Sequence, residues 1–356
     1  MKKVVRLVYI LLTLMAVTAA TVFFLPDSGL YLSRAGEFLS STAQEFGISG
    51  GGRDIPQTKT WTQKLIGADT QLGSEWGESG IDGLRVYQYG KTLLGSDEER
   101  AIYDLIAASV RDCAASVEIK TLLAPSEVKK IYKYFTWDHV ENLYLGKADM
   151  VFTYRDLGNK RVYDSYTLKF VYRYDKTTVA GMRVRTASAS AKLLNAASGE
   201  KTEQAKELAL HDALVGAVNY ENRALEDPKD YPDSFNIYGA FVKDSAVCDG
   251  YAKAMKLLLD SSGIKSLYVT GQAVNITGGG AHAWNIVSVS GKWYYLDATF
   301  DDPVFCNERG QYIKKTVVDH SFFNYTADDY HVLGVFNSSD PFASGSENYE
   351  TMPQIG

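Results

Sequence analysis

Three residues in the second half of the chain, Cys248, His282 and Asp297, carry side chains that together could activate a nucleophile. After Cys248, apolar residues recur at helical spacing through Leu259, and Gly263 then ends the pattern. This pattern predicts a helix that begins at or near Cys248 and is buried on one face. The free N–H groups and the dipole at a helix N-terminus favour the thiolate form of a cysteine. A buried, inert cysteine is the alternative, and the cysteine alone does not decide between them.

A predicted β-hairpin places the other two residues. Residues 278–280 are all glycine and lead into an alternating strand that carries His282, and a short turn near Ser290–Gly291 leads into a second strand that reaches Asp297. His282 and Asp297 then lie near the open end of the hairpin. A nucleophile at a helix N-terminus, with a base and its orienting carboxylate on adjacent strands, is what Cys-His-Asp catalysis needs. We therefore predict Cys248 as nucleophile, His282 as its base and Asp297 as the residue that orients the imidazole.

Two aromatic residues are weaker candidates for the same site. Tyr238 could place its hydroxyl beside the Cys248 N–H, on the side of a developing oxyanion, although a packing tyrosine is an equal alternative. Trp284 either walls the cleft or fills the core. Asp301 and Asp302 could replace the orienting carboxylate, but they lie beyond the end of the second strand, which makes them less favoured.

The remaining cysteines and histidines have simpler interpretations. Cys113 fits the core side of a predicted helix, and Cys306 falls in a predicted loop. His139, beside Asp138, is typical of a structural hydrogen bond, and His211 of a helix-surface or capping position. The chain has no HExxH, paired CxxC or EF-hand motif, so the sequence predicts neither a metal nor another cofactor.

Three short motifs carry a family resemblance. Cys248-Asp-Gly-Tyr, His282-Ala-Trp-Asn and Asp297-Ala-Thr-Phe-Asp resemble the motifs of bacterial transglutaminase-like proteins, within the papain-like cysteine-enzyme superfamily. The resemblance extends from about Leu208 to His331. It implies the same triad roles and a papain-like α+β domain in which the helix bearing the cysteine packs on an antiparallel sheet. It leaves the reaction open, because such relatives include amide-hydrolysing proteases, cross-linking acyl transferases and members with a binding role alone.

Two folded regions are predicted. Residues 83–184 read as a small α+β domain, with a capping box at Ser96–Glu99 that opens one helix, a second helix after Pro125, and strands at 150–154 and 166–174. Residues 185–335 form the transglutaminase-like domain. Residues 28–82 are expected to be an irregular spacer and residues 336–356 a polar tail.

The N-terminus has the pattern of a membrane segment. Lys2, Lys3 and Arg6 precede an uncharged run of 19 residues, Leu7–Leu25, which as a helix would be about 28 Å long, close to the bilayer core. Residues 1–27 are therefore predicted to be a signal-anchor or a cleaved signal peptide, and the continuation of the run through Leu25 favours the anchor. The basic flank places the rest of the chain on the extracytoplasmic side, or makes it secreted if the segment is cleaved.

The amino-acid composition limits the classes of molecule that the protein could bind. A net charge of −6 and a pI near 5.5 argue against nucleic acid, and three cysteines cannot form a disulfide framework. The sequence predicts an extracytoplasmic cysteine enzyme that acts on amide or peptide bonds through an S-acyl intermediate, with hydrolysis favoured over transamidation. Its expected substrate is a protein or peptide, with cell-wall peptide as one variant. The alternative is a catalytically idle cell-surface binding or scaffolding module.

Overall fold

The computed structural model describes residues 75–272, 281–302, 304–306, 312–314, 318–326 and 351–355. The predicted membrane segment, residues 1–27, lies outside them, as do most of the predicted spacer and tail. Within the described residues, no helix combines the length and the apolar character needed to cross a bilayer.

The secondary structure is mixed throughout the described chain. The strands are β1 (Trp76–Glu78), β2 (Arg85–Tyr87), β3 (Ser116–Ile119), β4 (Leu145–Leu157), β5 (Lys160–Tyr172), β6 (Asn219–Tyr220), β7 (Ser245–Ala246), β8 (Ser266–Gln272), β9 (Ala281–Val289), β10 (Lys292–Leu296), β11 (Val304–Cys306) and β12 (Tyr312–Lys314). The α-helices are α1 (Tyr89–Thr92), α2 (Asp97–Arg111), α3 (Pro125–Asp138), α4 (Lys176–Leu194), α5 (Glu203–Ala217), α6 (Arg223–Glu226), α7 (Ile237–Val242) and α8 (Cys248–Ser261). Short 3₁₀ turns cover Asn195–Ala197 and Pro232–Phe235.

The first half of the described chain is built around an antiparallel sheet with strand order β3-β5-β4. Helix α2 begins with the predicted capping box, in which the Glu99 N–H donates to the Ser96 hydroxyl and the Ser96 N–H donates to the Glu99 carboxylate. Helix α3 begins at Pro125, which suits the first turn because that position needs no N–H donor. The predicted helices and strands of this region are confirmed.

Two local details differ from the sequence prediction. Strand β1 lies inside the range predicted to be an irregular spacer, and it pairs with β2 just beyond that range. A three-residue strand is too short to show an alternating pattern. Cys113 lies beyond the end of α2, with φ at 54°, so it belongs to the turn after the helix. The sequence pattern extended the helix too far because helix ends carry little periodic signal.

The second half presents α8 against an antiparallel sheet of order β10-β9-β8. Ser290 and Gly291 both have positive φ, so they form the two-residue turn that the hairpin β9–β10 requires. Helix α8 ends at Ser261, followed by Gly263 with φ at 82° and a hydrogen bond from the Ile264 N–H to the Leu259 carbonyl. The α+β class and the packing of the cysteine-bearing helix on an antiparallel sheet are confirmed.

The buried core is continuous across residues 184 and 185, where the sequence suggested a boundary. Strand β2 packs on α8, and the Tyr87 N–H donates to Asp260 Oδ2 at 2.8 Å. Lys256 Nζ donates to the Tyr87 carbonyl at 3.0 Å and lies 2.6 Å from Asp260 Oδ2. Both charged side chains are completely buried, and besides pairing with each other and with Ser266, each makes a hydrogen bond to the Tyr87 backbone on β2.

Candidate active site

Cys248 is the first residue of α8, as predicted. Val247 before it is extended and supplies no side-chain cap, so the first turn of the helix keeps backbone N–H groups for other partners. Cys248 is partly exposed, although its neighbours Val247 and Asp249 are buried. The thiol therefore lies at the surface end of a helix that is otherwise deep in the core.

The hairpin brings His282 to Asp297. His282 Nε2 lies 2.7 Å from Asp297 Oδ2, and both side chains are buried. The other carboxylate oxygen, Oδ1, accepts the backbone N–H groups of Thr299 and Phe300 at 3.1 and 3.2 Å. The aspartate is thus fixed by its own backbone turn, and only one of its oxygens is directed at the imidazole.

His282 also forms a side-chain hydrogen bond with Cys248. Because Nε2 faces Asp297, Nδ1 is the ring nitrogen that remains for the sulfur. Burial lowers the pKa of His282, but the charges of Asp297 and of a Cys248 thiolate raise it by more, so that the pKa reaches about 10. The structure therefore favours an imidazolium beside the sulfur at neutral pH, and it brings the three predicted residues together.

Aromatic rings hold the imidazole in place. The ring of Phe300 stacks on His282 with a centroid distance of 4.3 Å, and Trp284 lies nearly parallel to it at 6.0 Å. Trp284 is almost completely buried, and its ring fills the space that a side chain at Gly271 would need: a Cβ there would lie 2.5 Å from the indole. Trp284 is therefore a core residue that borders His282.

Other motif residues fix the helix against the sheet. Asn285 Nδ2 donates to the carbonyls of Ala252 on α8 and Leu267 on β8, so it locks the strand of His282 to the helix of Cys248. The Tyr251 hydroxyl donates to Asp302 Oδ2 at 2.5 Å, and the Tyr268 hydroxyl donates to Asp249 Oδ1 at the same distance. The motifs thus contain both the three predicted site residues and side chains that align the helix with the sheet.

Tyr220 lies beside Cys248, although the sequence analysis did not select it. Its hydroxyl accepts the backbone N–H of Cys248, and the charges of Cys248 and Asp297 act with burial to raise the pKa of the phenol. The two-residue parallel bridge between β6 and β7 brings Tyr220 there. The signal for it is weak, because β6 lies far before the cysteine and is too short for a periodic pattern.

The weaker candidates have other partners. The Tyr238 hydroxyl accepts a hydrogen bond from Arg185 Nε at 2.6 Å, and the hydroxyl found beside Cys248 is that of Tyr220. Asp301 lies opposite His211, with 3.1 Å between Oδ2 and Nε2. The imidazole of His282 is contacted by Asp297, the carboxylate that the sequence analysis preferred.

The domain also matches known proteins. Residues 191–298 match the transglutaminase-like superfamily model, and the comparison with curated proteins gave no match. Among solved structures, the chain is similar to a TGase (13% identity, TM-score 0.31, 52% of this chain and 50% of that one). It is also similar to a candidate cysteine protease from Cytophaga hutchinsonii (13%, 0.28, 48% and 69%) and a candidate protease from Parabacteroides distasonis ATCC 8503 (10%, 0.26, 47% and 44%). The chain spans half the length of the TGase. The matched range includes Cys248, His282 and Asp297, and the chain contains a transglutaminase-like domain.

Proposed function

We propose that the protein is a cysteine enzyme that cleaves amide or peptide bonds through an S-acyl intermediate. The observation that carries the proposal is the position of the His282 imidazole. It is hydrogen-bonded to Asp297 through Nε2 and to Cys248 through its other ring nitrogen. The site has all three groups that this chemistry needs: a partly exposed thiol as nucleophile, a histidine as base and a buried aspartate that orients the histidine. A module that only binds has no need of all three groups.

The first chemical step is acylation. The Cys248 thiolate attacks the carbonyl carbon of the amide, and the C–N bond breaks while the imidazolium of His282 gives its proton to the leaving amine. Asp297 holds the ring in the orientation that directs Nδ1 at the sulfur and stabilises the imidazolium. The products are a free amine and a thioester on Cys248.

The second step is deacylation. His282, now neutral, accepts a proton from water as the water oxygen attacks the thioester carbonyl, and the carboxylic acid leaves as the thiolate re-forms. An amine in place of water would give a new amide, which is transamidation. We favour hydrolysis because water is always present.

Tyr220 fits a role at the oxyanion. The Cys248 N–H belongs to the residue whose sulfur would attack, and it donates to the Tyr220 hydroxyl. When a carbonyl oxygen takes up this N–H, the neutral Tyr220 hydroxyl can rotate and donate to the same oxygen. The high pKa of the phenol keeps it a donor throughout the neutral range.

Location and substrate complete the proposal. The basic flank and apolar run of residues 1–27 support an extracytoplasmic protein held at the membrane or secreted. A protein or peptide on that side, including the peptide part of a cell wall, is the proposed substrate class.

The test uses the full-length chain and an activated aryl ester that can acylate a reactive cysteine. Intact-mass spectrometry should show one acyl group on the wild type and none on Cys248→Ala. His282→Ala should also prevent acylation, and the double variant should be no worse than either single variant, because each residue is useless without the other. Cys113→Ala, which removes a thiol in the turn after α2, is the matched control and should acylate normally.

Two results would contradict the proposal. A folded Cys248→Ala variant that still forms the acyl adduct would remove Cys248 as nucleophile. Equal alkylation of Cys113 and Cys248 near pH 6 would show that the thiol is not activated and would favour the binding or scaffolding alternative. Adding cadaverine to the wild type separates the two enzyme reactions, since hydrolysis yields the acid and transamidation the amide.

A further inference from the structure

A second cluster of ionisable side chains lies next to Asp301, in the segment that follows Asp297. It consists of His211 and Asp212 on α5 and His320 in the segment 318–326. Asp212 Oδ1 lies 3.0 Å from His211 Nδ1 and 2.8 Å from His320 Nε2, and one donor atom from each residue falls within 4.8 Å of the others. We propose that these three side chains bind Zn²⁺.

The spacing of the donor atoms suits a small cation. Ligand atoms at about 2.0–2.1 Å from a tetrahedral zinc are about 3.3 Å from one another. The two separations that involve Asp212 are a few tenths of an ångström shorter, and the third, between the histidine nitrogens, is at most 4.8 Å. Binding therefore needs the exposed Asp212 and His320 side chains to rotate until all three donor atoms surround one ion. Two imidazoles and a carboxylate also select zinc and its transition-metal neighbours over Mg²⁺ and Ca²⁺, which prefer oxygen ligands alone.

Asp301 lies where the outer carboxylate partner of a zinc-binding histidine would be. A histidine that binds a metal through one nitrogen commonly donates its other N–H to a carboxylate, which fixes the ring and its tautomer. His211 Nε2 lies 3.1 Å from Asp301 Oδ2, and both side chains are fully buried. Asp301 is itself fixed, because its Oδ1 accepts the Phe322 N–H at 2.9 Å. With Nε2 beside Asp301, Nδ1 is the His211 nitrogen that faces Asp212.

Exposure decides how an ion would enter. The His211 side chain is completely buried, whereas those of Asp212 and His320 are 42% and 43% exposed. The cluster is therefore closed on the core side and open to solvent on the other. Three protein ligands with one open side leave a fourth position for water or for a group from outside.

An ion bound by this cluster would connect two parts of the fold. A zinc ion would join α5 to the segment of His320. That segment also accepts the Asp297 N–H at the Phe322 carbonyl, at 2.9 Å. The metal would therefore brace the backbone that positions the Asp297 carboxylate, through ligands that do not include Cys248.

The experiment measures Zn²⁺ binding to the full-length chain by isothermal titration calorimetry. Cys248 and His282 are a second place where zinc could bind, so all measurements use a Cys248→Ser background, which leaves the cluster intact. We expect one Zn²⁺ per chain. His320→Ala and Asp212→Asn should weaken binding at least tenfold, and both residues are exposed enough for the variants to fold. Asp230→Asn makes the same change of charge at another exposed aspartate and should leave binding unchanged.

Two further readouts identify the ligands. Co²⁺ bound in place of zinc should show the d–d absorption of nitrogen and oxygen ligands without a thiolate charge-transfer band. One equivalent of Zn²⁺ should raise the melting temperature of the Cys248→Ser chain and leave that of its His320→Ala derivative unchanged. Absence of binding in the Cys248→Ser background, or undiminished binding in the His320→Ala variant, would overturn the proposal. Neither result bears on the acylation test, so the two proposals fail separately.

Discussion

The imidazole of His282 is held by different forces on each side. Asp297 fixes one nitrogen, the sulfur of Cys248 takes the other, and Phe300 covers one face of the ring. Burial alone would discharge a histidine, yet here the two negative partners outweigh it. In the proposed mechanism, the charge state of this one ring determines the pH range over which acylation can occur.

The pH profile of hydrolysis tests that charge state. The pKa of His282 is raised from 6.5 to about 10, so the ring is protonated below that pH, and its contribution to stability is complete below about 6.5 and lost as the pH rises through about 10. Because acylation needs the imidazolium as proton donor, kcat/KM of the wild type should fall as the pH rises through about 10. Stopped-flow hydrolysis of an aryl amide gives this profile.

The Asp297→Asn variant tests whether Asp297 is the cause of the raised pKa of His282. The asparagine amide carries no charge, and its N–H can donate to His282 Nε2, which would reverse the tautomer of the imidazole. We therefore expect kcat to fall by about 10²–10⁴-fold. The alkaline limb of the pH profile should also move towards neutral pH, because the negative charge that raises the pKa of His282 is gone. Asp244→Asn is the control, since Asp244 is exposed, carries no part of the site, and has a positive φ that asparagine adopts readily. An alkaline limb that stays near 10 in Asp297→Asn would show that Asp297 does not set the pKa.

Tyr220→Phe tests the oxyanion role. The change removes one hydroxyl and keeps the ring that packs near Tyr251. If the hydroxyl donates to the oxyanion, kcat should fall by about 10²-fold while alkylation of Cys248 keeps its wild-type rate, because alkylation forms no oxyanion. Tyr238→Phe is the matched control and should leave kcat unchanged, since its hydroxyl bonds to Arg185. Equal losses in both rates would mean that Tyr220 serves the thiolate.

The sequence predicts the residues of the site whose neighbours follow a regular pattern. Cys248 opens a periodic helix, and a two-residue turn brings the strands of His282 and Asp297 together. Tyr220 depends on a bridge of two residue pairs, which no periodicity reveals. His211 was expected at a helix surface or cap but is fully buried. Its spacing in the sequence could have shown this, because Leu210, Leu214 and Val215 lie on the same buried face of α5.

At the scale of elements, α8 is placed by close backbone contact. A Cβ at Gly250 would lie 2.7 Å from the Ser234 carbonyl oxygen and 2.8 Å from Ala246 Cβ. Glycine at this position lets the first turn of the helix approach the chain that precedes it. The distance between Cys248 and the hairpin depends on that approach, because Asn285 joins the same helix to β9.

Gly250→Ala should therefore destabilise the protein by about 1–3 kcal/mol, since the backbone has to move to admit the methyl group. Chemical denaturation followed by tryptophan fluorescence measures this change. Gly216→Ala, also in a helix, is the control: no atom lies within 4 Å of its added Cβ, so we expect it to stabilise the protein by about 0.5–1 kcal/mol. Similar effects of the two changes would show that packing at Gly250 is loose.

Element types were predictable where the pattern is long, and element ends were not. Helix α2 was found from its capping box, but its end was placed beyond Cys113, whose positive φ has no marker in the sequence. Strand β1 was missed because it has three residues and gains its stability from pairing with β2. Short elements are decided by tertiary contacts that local propensity does not contain.

At the scale of the whole molecule, Glu207 should give stability a dependence on pH. It lies buried on α5, and burial raises its pKa from 4.5 to about 7, although Asn324 donates to it at 2.7 Å. The folded state holds this proton more tightly than the unfolded state does. The free energy of unfolding should therefore decrease as the pH rises from about 4.5 through about 7.

Glu207→Gln removes the cost of burying that charge. At pH 8 the variant should be more stable than the wild type by about 1–3 kcal/mol, and near pH 5 the two should be similar. Thermal unfolding across this range provides the measurement. Glu200→Gln, at an exposed site just before α5, is the control and should change little at either pH. A variant that is less stable than the wild type at both pH values would contradict the explanation.

The contact between Tyr87 and α8 also limits the order in which the chain can fold. Its hydrogen bonds join residues that are 173 and 169 positions apart, and they satisfy Asp260 and Lys256 in the core. Contacts of such long range close late and slow the search for the native state. While the chain is being made, strand β2 has no partner in α8 until Asp260 has appeared. The contact between α8 and the first strands of the described chain can therefore form only after most of the described chain has been made.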